Sequence, residues 1–368
     1  MKNVGLAILV MWGALPCAAQ TTPEPQTFFK EYIGLTNEQI ASLERGKPVA
    51  QVLTTKTPSE ITVFGAIYIN ASPGDYLKTV RNLTNLRNSP NYLAVRQISA
   101  PPKLSDFEGF VLDDQDIKDL RSCRPGKCLL QLPVESIEEF QSAVDWSAPD
   151  VTTQVNRLAQ KMTFEALIRY QKDGDSALGG YYDKEQPVDV VKQFDALVPS
   201  SLSHYLPDLE RYLIGYPQIQ LANAESVFYW ERVKFGLKPT LRMNHAVIYG
   251  GAGSSQQINA VVIKQLYASH YFETALDVSV CAKSDSRPED TGFYLITIKG
   301  SRQAGLTGPK GSMLRKAAVS RTRSSLEGYL AHIKRVLETD QGGSTGAVQE
   351  PQMTGAGNVR IGATEAKS

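Results

Sequence analysis

Apolar and polar residues alternate through several stretches in the second half of the chain. Residues 241–249 place Leu241, Met243, His245, Val247 and Tyr249 on one side and Arg242 and Asn244 on the other, the period of a strand. Residues 261–272 alternate less cleanly. Their even side carries Val262, Lys264, Leu266, Ala268, His270 and Phe272, and their odd side Gln265, Tyr267, Ser269 and Tyr271. A third strand is expected over 293–299. The period then changes. Val319, Leu326, Tyr329, Leu330, Ile333, Val336 and Leu337 recur at helical spacing, which predicts a long amphipathic helix over 312–338.

The first half predicts strands over 49–53, 61–69 and 92–98, and a short one over 129–132. Thr36 with Gln39 is a capping-box pair, and Gly46 ends the helix it starts. Ser72, Pro73 and Asp75 open a second helix over 73–85, with Tyr76, Leu77, Val80 and Leu83 on one face. The acidic run 113–116 reads as a helix start, because an EF-hand loop needs a glycine and a terminal glutamate that are missing here. Residues 134–215 turn helical, with segments over 134–144, 149–172, 188–197 and 206–214. Spacing alone does not separate a helical insertion from a layer packed on the sheet. The fold class read from this order is α+β: a curved antiparallel sheet gripping a long C-terminal helix, with a helical insertion. The parts are 20–133, the insertion 134–215, and 216–338, followed by a Gly- and Thr-rich tail, 339–368, expected to be disordered.

The N-terminus reads as a signal peptide over 1–19. Lys2 precedes an apolar run over 4–15, and Cys17-Ala18-Ala19 supplies small residues, so cleavage is expected near Ala19. That run is shorter than the ~20 residues a membrane span requires. Pro16 fits poorly with acylation at Cys17. The mature chain is therefore expected to be periplasmic or secreted. In such a compartment Cys123 and Cys128, separated by a Pro125-Gly126 turn, read as a disulfide, while Cys281 reads as a buried thiol. No second Cys/His pair has zinc spacing, so no metal or cofactor is assigned. With 39 basic and 38 acidic residues, the chain lacks the surplus that an obligate nucleic-acid partner requires.

Two glycine-rich stretches invite phosphate-loop readings. Residues 250–255 are followed by a strand rather than a helix, and 308–312 lack the adjacent Gly-Lys-Ser/Thr, so neither is assigned that role. No HExxH or GxSxG motif occurs. The candidate ligand-binding residues are Met243, His245, Tyr249, Lys264, Leu266, His270 and Phe272, a few polar groups in an apolar wall. A hairpin turning near Gly253 sets His245 opposite residues 262–264 and leaves the two histidines on the order of 20 Å apart, which argues against a shared dyad. Either histidine alone suits acid/base catalysis; the alternative is hydrogen bonding within a core. The helix 312–338 is basic as well as amphipathic. Arg315, Lys316, Arg321 and Arg323 suit contact with an anionic membrane or a solvated outer face.

The segment Val63-Phe64-Gly65-Ala66-Ile67-Tyr68-Ile69-Asn70-Ala71-Ser72-Pro73, with the strands 241–299 and helix 312–338, resembles the START-like helix-grip superfamily (the SRPBCC or polyketide cyclase-like group). It is similar to that group's opening strand, small-residue link and Pro-started helix over about half the chain. The block 134–215 departs from the compact pattern. The chain also resembles an uncharacterised family of exported bacterial proteins. The superfamily resemblance implies a cavity between sheet and helix that binds a lipid or other apolar small molecule. The group also contains enzymes. A third reading is a cell-envelope protein-interaction module built on the helical block.

Overall fold

The computed structural model describes residues 24–82, 91–198, 206–235, 238–250, 259–283, 292–303, 305–306 and 308–340. The expected signal peptide, most of the 250–255 loop and all but the start of the tail lie outside them. An eight-stranded antiparallel sheet carries the fold. Its strands are β1 Val49–Leu53, β2 Glu60–Ile69, β3 Tyr92–Gln97, β6 Ala224–Lys234, β7 Pro239–Gly250, β8 Asn259–Ala268, β9 Phe272–Ala282 and β10 Phe293–Gln303, in the order β1-β2-β10-β9-β8-β7-β6-β3. A minor pair, β4 Gly180–Tyr181 and β5 Val188–Asp189, stands apart.

The helices are α1 Asn37–Glu44, α2 Pro73–Arg81, α3 Asp114–Arg121, α4 Val134–Ala143, α5 Val151–Asp173, α6 Val190–Leu197, α7 Pro207–Gly215 and α8 Gly308–Asp340. Local chemistry places their starts. Thr36 and Gln39 close the capping box of α1. Ser72 accepts from the Asp75 amide ahead of Pro73, and Asp113 accepts from the Asp116 amide at 2.9 Å. A helical stretch at 25–33 precedes α1.

One face of the sheet receives α8 and α2. Leu326, Leu330, Ile333 and Leu337 of α8 and Tyr76 and Leu77 of α2 share a core with Ile61, Val63, Ile67 and Ile69 of β2, Ile248 of β7 and Phe293 and Leu295 of β10. Gly65 permits this approach: a Cβ there would lie 2.6 Å from Leu326 Cδ2. Polar ties pin α8 along β2. Arg315 donates to the carbonyls of Pro58 and Glu60, Lys334 to that of Tyr68, and Glu338 accepts from the Asn70 amide.

The opposite face carries the helical segments. Phe228, Leu241, Met243 and Leu266 pack with Val155, Leu167 and Tyr170 of α5. Val247, Val262 and Val278 pack with Phe194 of α6 and Leu209 and Leu213 of α7. Phe28 and Phe29 cover Phe64 and Tyr294. The block 134–215 thus shares its core with the sheet. The Cys123–Cys128 disulfide is formed, and Cys281 is buried, where desolvation raises its thiol pKa well above the usual range.

Two expected strands come out differently. The stretch 261–272 is not one strand: β8 ends at Ala268 and β9 begins at Phe272. The chain reverses over Tyr271, whose φ is +66°, with the Phe272 amide donating to the His270 carbonyl at 2.7 Å. Residues 129–132 form no strand, because their backbone bonds go to separate places. The Gln131 amide donates to Ser269, and the Leu132 carbonyl accepts from Tyr182.

Candidate functional site

The sequence-predicted residues fall into three places. Met243, His245, Tyr249, Lys264 and Leu266 lie on the face turned away from α8, among the helical segments. They do not line a space beneath the closing helix. His270 sits in the β8–β9 turn and not on a strand face, its Nε2 3.0 Å from Asp116 Oδ2. Lys238 bridges Asp116 and Asp119 there. Burial opposes the Asp116 charge, but His270 and Lys238 outweigh it and hold the carboxyl below its usual pKa. Among these residues, only Phe272 neighbours the polar cluster described below.

The expected pairing of His245 with the strand after the hairpin is present: His245 stands opposite Lys264. His245 is fully buried, with Nδ1 3.1 Å from Tyr170 OH, Nε2 2.8 Å from Ser226 Oγ, and its ring stacked on Phe228. Burial first, and the Lys264 charge second, lower its pKa to about 3. A neutral imidazole with both nitrogens engaged is a core connector. Because its folded pKa is depressed from 6.5, its contribution is full above about pH 6.5 and is lost as pH falls toward 3. Urea unfolding should show about 1.4 kcal/mol per pH unit of acid sensitivity from this group. His245→Gln should flatten that part of the profile; an unchanged slope refutes the assignment.

A different set of residues, on the α8 side of the sheet, forms a buried polar cluster. Strand register aligns Glu231 with Arg242, Tyr229 with Asn244, Asn244 with Gln265, and Asp277 with Lys299. Arg242 donates from Nη1 to Glu231 at 2.9 Å and from Nε to Gln265 at 3.1 Å. Its guanidinium also lies 5.7 Å from the Phe235 ring and 5.4 Å from the Phe272 ring. Lys299 pairs with Asp277 and lies 5.9 Å from the Tyr329 ring of α8. Tyr92 joins from the edge strand β3. The charged groups balance, two carboxylates against two cations.

Burial gives this polar floor its character. Glu231 is only 2% exposed; desolvation raises its pKa against the opposing pull of Arg242. Burial opposes the Arg242 charge in turn, yet Glu231 keeps its pKa raised. Asn244 is fully buried and lies near enough to Glu231 to favour its ionised form, but neither amide atom has a partner in hydrogen-bonding geometry. Thr240 Oγ1, four residues earlier on the same strand, is also buried and unpartnered. Such orphaned groups are rare and point to a function or a missing partner.

No family model, curated protein or solved structure matches this chain. Function is therefore argued from side chains alone. Among the described residues, no group of His, Cys, Asp and Glu is arranged to hold a metal, and no helix is long and apolar enough to cross a membrane. Two shallow depressions, about 390 Å³ at the β1–β2 turn and about 480 Å³ beside the disulfide loop, are lined by residues other than this floor.

Alternation had already separated Arg242 and Asn244 from the apolar side of their strand. The signal for the floor was that polar side itself. It read as the solvent side because the cover supplied by α8 and α2 is not visible in a single strand.

Proposed function

We propose that this chain is an exported binding protein for a lipid or other amphiphilic small molecule, held on the α8 side of the sheet. The polar end of the ligand meets Asn244, with Gln265 and Arg242 beside it. Its apolar part lies against Phe235, Phe272 and Tyr92. The observation that carries this reading is Asn244: a buried amide whose oxygen has no partner and whose donor meets only Glu231, loosely, is matched by a ligand group that donates a hydrogen bond, such as an amide or a protonated acid. The far half of the same face is filled by the α8 leucines and Tyr76, so the ligand site is the polar half of the grip. This arrangement is also what the helix-grip resemblance implies.

Gentle purification followed by native mass spectrometry should show a mass adduct, or the chain should acquire one from a lipid extract. Bare chain under both conditions refutes the proposal. Asn244→Leu should abolish the adduct. It should also stabilise the empty protein by about 1–3 kcal/mol, because an unsatisfied buried amide is removed. A variant that is both destabilised and still loaded counts against the assignment.

A further inference from the structure

The first turns of α8 present an outward face with no role in the core. Met313 is 76% exposed and Leu314 57%. Ala317, Ser320 and Ser324 continue that face at helical spacing, and all are exposed. Lys316 and Arg323 flank it on one side and Arg321 on the other. Between Gly311 and Leu326 there is no carboxylate; the next acid, Glu327, pairs with Arg323.

The opposite side of the same turns meets the β1–β2 turn, where residues 53–58 and Arg315 line a depression of about 390 Å³. Arg315 is anchored in it, donating from Nη2 to Thr55 Oγ1 as well as to the two backbone carbonyls. Lys56 and Thr54 are exposed at the same place. Exposed apolar side chains and flanking cations thus share the outward side of the first turns of α8.

We infer that this end docks on an anionic phospholipid surface. Met313 and Leu314 enter the interfacial layer. Lys316, Arg321 and Arg323 meet the lipid phosphates. Small residues between the cations let the helix lie close to the surface. Apolar burial and attraction to anionic lipid add for a helix held this way, and attraction alone falls with salt. Neither Met313 nor Leu314 lines the polar floor, so vesicle binding and ligand retention are separable measurements.

The test is co-sedimentation of the full chain with vesicles of phosphatidylcholine alone and of phosphatidylcholine mixed with phosphatidylglycerol. Binding is expected only to the mixed vesicles and should weaken as salt is raised. Lys316→Ala and Arg321→Ala should each weaken it about fivefold. Met313→Asp combined with Leu314→Asp should abolish it while leaving the urea midpoint unchanged, since both side chains are exposed. No binding to mixed vesicles, equal binding to both kinds, or retained binding by the double aspartate variant each overturns the inference. So does capture by heparin without capture by vesicles, which would mark a soluble polyanion as the partner.

Discussion

Asp175→Ala is expected to destabilise the protein by about 3–5 kcal/mol, read from equilibrium urea unfolding at neutral pH. Lys264 is fully buried, and its Nζ lies 2.5 Å from Asp175 Oδ1. Its nearest other neighbours are the Leu213 carbonyl at 3.4 Å and the Phe194 ring at 3.8 Å, with the charge of Asp195 acting from farther away. None of these replaces the hydrogen-bonded carboxylate, so removing Asp175 leaves a poorly compensated cation in the core between sheet and helices. Burial already lowers the Lys264 pKa against the pull of Asp175. In the variant the folded lysine sheds its proton before the unfolded one does, so stability should rise with pH up to about 10.5. Lys264→Met combined with Asp175→Leu should restore stability to within about 1 kcal/mol of the parent, because apolar replacement removes both desolvation costs. A loss below 1 kcal/mol in the single variant means the pair is not the buried link described.

Arg242→Met is the second large effect, also about 3–5 kcal/mol. It leaves Glu231 buried without its partner and removes the group held by Gln265, Phe235 and Phe272. The folded Glu231 then holds its proton to higher pH than in the parent, since desolvation already raises its pKa and the opposing Arg242 charge is gone. Adding Glu231→Gln should recover most of the stability and none of the ligand adduct. Thermal melts and native mass spectra on the single and double variants separate the two roles. If the single variant retains both its melting temperature and its adduct, the polar floor is neither structural nor a binding site.

Most of the architecture was legible because one-sided burial leaves a period in the sequence. The strand 49–53, the helix starts at Thr36, Ser72 and Asp113, and the four helices of the middle block all followed from alternation, caps and spacing. Strand β9 was missed because its turn uses Tyr271 in a left-handed conformation, where Gly or Asn is the usual signal. The register shift opposite Met243 and Asn244 also breaks the alternation of β8 near Leu266. The buried polar floor was missed for a different reason. Both faces of the sheet are covered, so polar residues on a strand do not mark solvent. Arg242, Asn244 and Gln265 violate the binary pattern inside a core, and such violations concentrate where function overrides stability. The lone histidines attracted notice by residue type, but their neighbours make them connectors.

The place of β2 in the sheet has a consequence for how the chain is built. Residues 60–69 pair with residues 293–302 and carry α8 above them, so the sheet is closed by its last strand. The β1–β2 hairpin can pair early, but the second neighbour of β2 and its helical cover arrive only when almost all of the chain has been synthesised. Pairings of such long sequence separation make folding slow and the unfinished chain long-lived. For the exported protein proposed above that delay is useful: a polypeptide still short of its closing strand and helix remains open enough to be threaded across a membrane before it locks.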